Sequence, residues 1–204
     1  MASLEEEGAG LRGLLTDFES RCFSARKEPL AGHPVAALMR KFIASEVERS
    51  GIFENGRYKA SGSVEKEGWA EIPWMAVYGL SETDTLHHGL FIVYVFSADM
   101  SSLFLALDQE CSTYYETHTR ADTDERARRI ADELERHVDG RGAAPGPITL
   151  GASSSTGRFL ENGCVYSVRY DTGSLPDEGR LMDDLRTFKA LYEDALTSMR
   201  ELGM

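Results

Sequence analysis

The chain has 204 residues, 42% of them hydrophobic and 27% charged, which is the balance of a folded domain with one sizeable core and not of a disordered tail. Its formal charge of −12 argues against indiscriminate nucleic-acid binding, which rests on clustered Lys and Arg, yet leaves room for a local basic face. No apolar run approaches the length of a bilayer span, and Cys22, Cys111 and Cys164 are too few and too widely spaced for a disulfide framework.

Residues 1–8 are acidic and lack the basic flank and apolar stretch of a secretory signal, so a cytoplasmic location is expected. Leu11, Leu14, Leu15 and Phe18 recur at helical spacing within residues 11–23. A second helix is predicted over 34–49, opened by Pro34 at a first helical position, with Val35, Leu38, Met39, Phe42, Ile43 and Val47 as its apolar stripe. From Tyr58 the period changes to that of strands, over 58–63, 69–78, 90–96 and 103–107, and short connections favour an antiparallel meander. The third strand is apolar on both faces: Leu90, Ile92, Tyr94 and Phe96 point one way and Phe91, Val93 and Val95 the other. One face can serve the core and the other a pocket or second layer.

Thr123 or Asp124 is a candidate cap for a helix running to about Val138, whose start Arg126, Arg128 and Arg129 would crowd. Residues 140–147 read as a loop, 164–170 as a returning strand, and Ser174-Leu-Pro-Asp-Glu178 as the start of a long last helix. The expected architecture is one α+β domain over residues 1–204, with a central, largely antiparallel sheet and helices packed against it.

Little in the sequence suggests catalysis. The Gly-Lys-Ser/Thr ending of a P-loop is absent, and no carboxylates are spaced as in a nuclease. His87 and His88, adjacent on a strand, point to opposite faces and cannot readily chelate one ion, so no metal or cofactor is expected. Ser153-Ser-Ser-Thr-Gly157 could hold a phosphate through backbone N–H groups but reads more simply as a surface loop. Trp69 and Trp74 flank Pro73 in one strand, an arrangement suited to a flat-walled pocket for a planar guest.

Gly62-Ser63, the block Gly68-Trp-Ala-Glu-Ile-Pro-Trp74, Gly89-Leu-Phe-Ile-Val-Tyr94, Asp99-Met100 and Leu105-Ala-Leu-Asp-Gln109 together resemble the McrB-like N-terminal domain family. Tyr170, Leu175-Pro176, Leu181, Asp184-Leu185 and Tyr192 fit its closing strand and helix. The resemblance implies the DNA-recognition module of a type IV, modification-dependent restriction system, which flips a modified cytosine from double-stranded DNA into an aromatic cage. It further implies an effector, an NTPase or nuclease, on the same or another chain, and no enzyme activity in this one. Carried over by residue, Trp74 matches the cage tryptophan, Phe91 an aromatic wall, Val95 an apolar wall on the same strand face, and Phe159 a further wall. Arg57 and Lys59, which share a face if their segment is a strand, and Lys66 are the expected phosphate contacts. Glu65-Lys66-Glu67 departs from the Gly-rich turn of relatives and sets two carboxylates near an incoming phosphate. The charge of −12 keeps a second class open, a protein-interaction or regulatory module of a defence system. A third, an enzyme acting on a modified nucleotide, lacks a recognisable polar cluster.

Overall fold

In the computed structural model, which describes residues 10–65, 68–81 and 89–204, the strand-period segments assemble into an antiparallel sheet of order β1-β2-β3-β4-β6-β5. The strands are β1 (Tyr58–Glu65), β2 (Trp69–Gly79), β3 (Leu90–Phe96), β4 (Ser102–Gln109), β5 (Ala144–Pro145) and β6 (Tyr166–Asp171). The first four form the expected meander, and β6 returns beside β4 with Leu105 opposite Val168. The molecule is α+β, as the periodicity predicts.

Helices cover one face. α1 (Leu11–Ala25), α2 (Pro34–Ala37), a π-helical segment (Leu38–Ile43), α3 (Ala44–Arg49) and α7 (Glu178–Leu202) bury their apolar stripes against Leu90, Ile92, Tyr94 and Phe96 of β3 and against Met75 and Val77 of β2. Each fully buried Leu or Phe there contributes roughly 1.5–3 kcal/mol. The second predicted helix is therefore continuous but changes pitch in the middle, where Leu38, Met39 and Ile43 are buried. Glu178 in the first turn of α7 accepts from Leu11 N and Arg12 N, both at 2.8 Å, and so caps α1 across the fold.

Four local expectations change. α5 (Arg120–His137) begins earlier than Thr123, because Thr119 and Asp122 form a reciprocal capping box; Arg126, Arg128 and Arg129 thus lie within the helix and not at its start. Residues 140–147 are not all loop, since Ala144 and Pro145 pair with Ser167 and Tyr166 as β5. The returning strand starts at Tyr166 and not Cys164. Ser153–Gly157 is the start of a helix, α6 (Ser155–Gly163), with Ser154 as N-cap accepting from Gly157 N. A short helix, α4 (Ser112–Tyr115), follows β4. His87 and His88 lie outside the described residues. All three cysteines are buried and free.

Candidate functional site

The other face of the sheet carries Ile72, Ala76 and Tyr78 of β2, Phe91, Val93 and Val95 of β3, and Phe104 and Ala106 of β4, covered by Ile148, Leu150 and Leu160. β2 pairs with β3 only from Trp74, opposite Val95, to Val77. Pro73, which has no N–H to give a ladder, stands where that pairing stops, and the β1 register shifts between Ser63 and Glu65. Trp74 is thus the last residue of β2 held by β3, and its indole is only partly buried.

Beside the indole lies a cavity of about 420 Å³, within the range of small-molecule sites. Trp74, Phe91 and Phe159 wall it with rings, Lys59 and Ser61 of β1 stand on one side, and Gln109 and Cys111 close the end of β4. Phe159 is steadied from outside the cavity's own strands: the Arg120 guanidinium lies 4.6 Å from its centroid and Tyr115 meets it edge-on at 5.2 Å. Lys59 is exposed and has no ion-pair partner among the described residues, whereas Glu110 is occupied in capping α4 through Ser112 N and Thr113 N. Burial, the largest cause, pushes the Cys111 thiol up to about 12, which disfavours its thiolate.

A larger cavity, about 630 Å³, sits at the far end of the same face. Its polar groups already satisfy one another: Asp99 binds Ser97 and Ser101, and Arg169 binds Ser102. Phe104 is the one ring among its described walls, so it seats a planar guest less well than the smaller cavity does; a further hollow, of about 590 Å³, is lined by Trp69 and Trp74 together with Glu71 and Ser153. Among the described residues no three His, Cys, Asp or Glu side chains converge as a metal site. No described helix is long and apolar enough to cross a membrane.

The N-terminal end of α6 is tied to β2 by one side chain. Glu71 of β2 accepts from Ser153 N at 3.0 Å, Ser154 N at 2.8 Å and Ser153 Oγ at 2.7 Å, filling the helix N-terminus that a phosphate would otherwise need. Burial alone would raise this carboxyl, but the bonds from Ser153 and Ser154 outweigh it and hold it at about 2. A depressed folded-state pKa adds stability above the ordinary carboxylate range, lost as pH falls towards the folded value. Glu71→Gln is therefore expected to lower the melting temperature near neutral pH, with the gap to wild type closing between about pH 5 and about pH 2. Thermal melts of both proteins across that window check it; a gap that is constant with pH would show that the carboxylate is not the tie.

The family model of the MrcB-like N-terminal domain matches residues 19–197. The chain belongs to that family. No curated protein matches the chain. An MrcB-like N-terminal domain is a module of restriction systems, on the DNA-recognition side and not the catalytic one.

Of the residues singled out in the sequence of this MrcB-like domain, Trp74, Phe91, Phe159 and Lys59 come together around one cavity. Val95 does not line it; fully buried, it sits across the ladder from Trp74 and supports that residue from within the cluster. Arg57 does not share a face with Lys59, because it precedes β1 in a turn; it pairs with Glu54 at 3.6 Å and lines a separate hollow with Tyr192 of α7. Lys66 and Glu67 lie outside the described residues. Trp69 belongs to the helical side, where its Nε1 donates to Glu28 O at 2.9 Å and its ring meets His33 edge-on. Ala76 and Tyr78, same-face neighbours of Trp74, were readable from strand alternation. Gln109, Cys111 and Thr156 were not, since they reach the cavity from the end of β4, its following turn and α6.

Proposed function

We propose that this domain recognises 5-methylcytosine or a related modified cytosine in double-stranded DNA by flipping the base into the cavity beside Trp74. The observation that carries the reading is the convergence of Trp74, Phe91 and Phe159, from three separate elements, on one cavity whose principal ring is partly exposed. A base leaves its stack only if pocket contacts offset an unstacking cost of a few kcal/mol, and ring stacking supplies roughly 1–3 kcal/mol per base. Lys59, exposed at the cavity and unpaired among the described residues, stands where a phosphate flanking the extruded nucleotide would pass. Cleavage would belong to an effector on the same or another chain.

Titrating the protein with duplexes that differ only in one 5-methyl group tests this, and equal affinity for the two sinks it. Lys59→Ala is expected to weaken modified and unmodified duplexes alike and to lower the slope of log affinity against log salt by about one, as loss of a single phosphate contact should. A change confined to the methylated duplex would instead place Lys59 on the base. The charge of −12 favours a second reading, a surface that docks another protein. DNA affinity falls steeply with ionic strength, whereas apolar docking does not, so the same salt series separates the two.

A further inference from the structure

A base drawn out of a duplex stays joined to its neighbours through the backbone, so the helix must lie against the cavity mouth, and a gap opens in its stack there. The bases on either side of the gap each lose a stacking partner, a loss that a flat or apolar side chain inserted from the protein can offset. Such a side chain has to be exposed before the DNA arrives and to stand close to the cavity wall.

Among the described residues two large hydrophobic rings are exposed, Phe23 at 51% and Tyr115 at 40%. Phe23 belongs to α1, on the helical face of the sheet. Tyr115 ends α4, whose first residue, Ser112, lines the cavity. Three residues apart on a helix, Ser112 and Tyr115 share a face. The Tyr115 ring meets Phe159, a wall of the cavity, edge-on with centroids 5.2 Å apart, and so stands just outside that wall. Phe159 packs with Cys111 and Ala127, a buried cluster to which Tyr115 does not belong.

The turn that presents this ring is fixed in advance. Glu110 accepts from Thr113 N at 3.2 Å. Tyr114 stacks on His118 at 3.7 Å with an interplanar angle of 9°, and the Arg126 guanidinium lies 4.9 Å from the Tyr114 centroid. Tyr114 is thereby engaged within the protein, while the next residue keeps its ring in solvent. A side chain on a turn already ordered loses less freedom on binding than one on a loose loop.

We infer that Tyr115 fills the gap left by the extruded base, stacking between the bases that flanked it while the base itself sits among Trp74, Phe91 and Phe159. The inference rests on the modified-base reading and adds a stacking residue outside the cavity, one that acts on the duplex left behind.

The test uses the whole chain and a duplex carrying 2-aminopurine, a fluorescent adenine analogue dimmed by stacking, next to a single 5-methylcytosine. At saturating protein a filled gap keeps the reporter dim, and an open gap leaves it bright. Wild type and Tyr115→Phe are expected to keep it dim. Tyr115→Ala is expected to raise its emission several-fold and to weaken binding of the methylated duplex by about tenfold, the loss of one ring–base stack. Emission at saturation does not depend on affinity, so a tyrosine that only steadied Phe159 would weaken binding on removal and leave the reporter unchanged. Equal emission from the wild-type and alanine complexes, or a bright wild-type complex, with 5-methylcytosine still preferred over cytosine, overturns the role of Tyr115 and leaves the cage reading standing. No such preference in the wild type overturns both. Replacing an exposed side chain is expected to leave the fold intact, and Tyr115→Gln repeats the measurement should the alanine variant not fold.

Discussion

Trp74→Ala is expected to remove the preference for a methylated duplex and to weaken binding to it by about 10- to 100-fold, the loss of one base–ring stack. The indole is partly exposed at the point where β2 parts from β3, so its removal takes a wall from the cavity without opening the centre of the core. The stability cost should accordingly stay below the roughly 3–5 kcal/mol of truncating a core tryptophan. Trp74→Phe, which keeps a ring, should recover part of the preference. These variants are checked by binding isotherms on paired methylated and unmethylated duplexes, with chemical denaturation alongside. Unchanged discrimination in the folded alanine variant would show that the guest sits elsewhere. Phe91→Ala is a poorer probe, because Phe91 is 8% exposed and its loss mixes a binding effect with a packing one.

Gly62→Ala should destabilise the fold by about 3 kcal/mol or more, the upper end for forcing extra atoms into a packed site. A Cβ at Gly62 would lie 2.1 Å from Met39 O, 2.7 Å from Met39 C and 3.2 Å from Arg40 Cα, all backbone atoms of the π-helical segment. No rotamer change can relieve that clash; strand and helix must separate, and the buried Leu38, Met39 and Ile43 would lose their seat. Urea denaturation measures the effect, and a loss of under about 1 kcal/mol would show that the helix can slide without cost. Gly62 thus owes its identity to the close approach of two elements and not to an unusual backbone angle, since it is not among the residues with positive φ.

Much of the scaffold was legible because each element repeats its own period over a few residues. Strand β3, apolar on both faces, announced a sheet with something packed on either side, and the structure puts helices on one face and the cavity on the other. α6 was missed because Ser153–Gly157 has the composition of a loop, while its helical identity depends on the Ser154 cap and on Glu71, 82 residues away from Ser153. The start of α5 was misplaced for a simpler reason: Thr119 and Asp122 cap each other, and Thr123, although a good cap residue, is buried in the first turns.

What the sequence determined by itself was the order of the larger elements, α1, β1 to β4 and α7, and the two apolar faces of β3. What only the tertiary structure decided was which rings share a space: Phe159 joins Trp74 and Phe91, Trp69 donates to Glu28 and meets Trp74 only at a separate hollow, and Arg57 leaves Lys59. Periodicity is a property of neighbours along the chain, whereas a cavity is the volume left between elements that are distant in sequence. Its walls are chosen by sheet register and by the packing of the cover, and no local pattern encodes either.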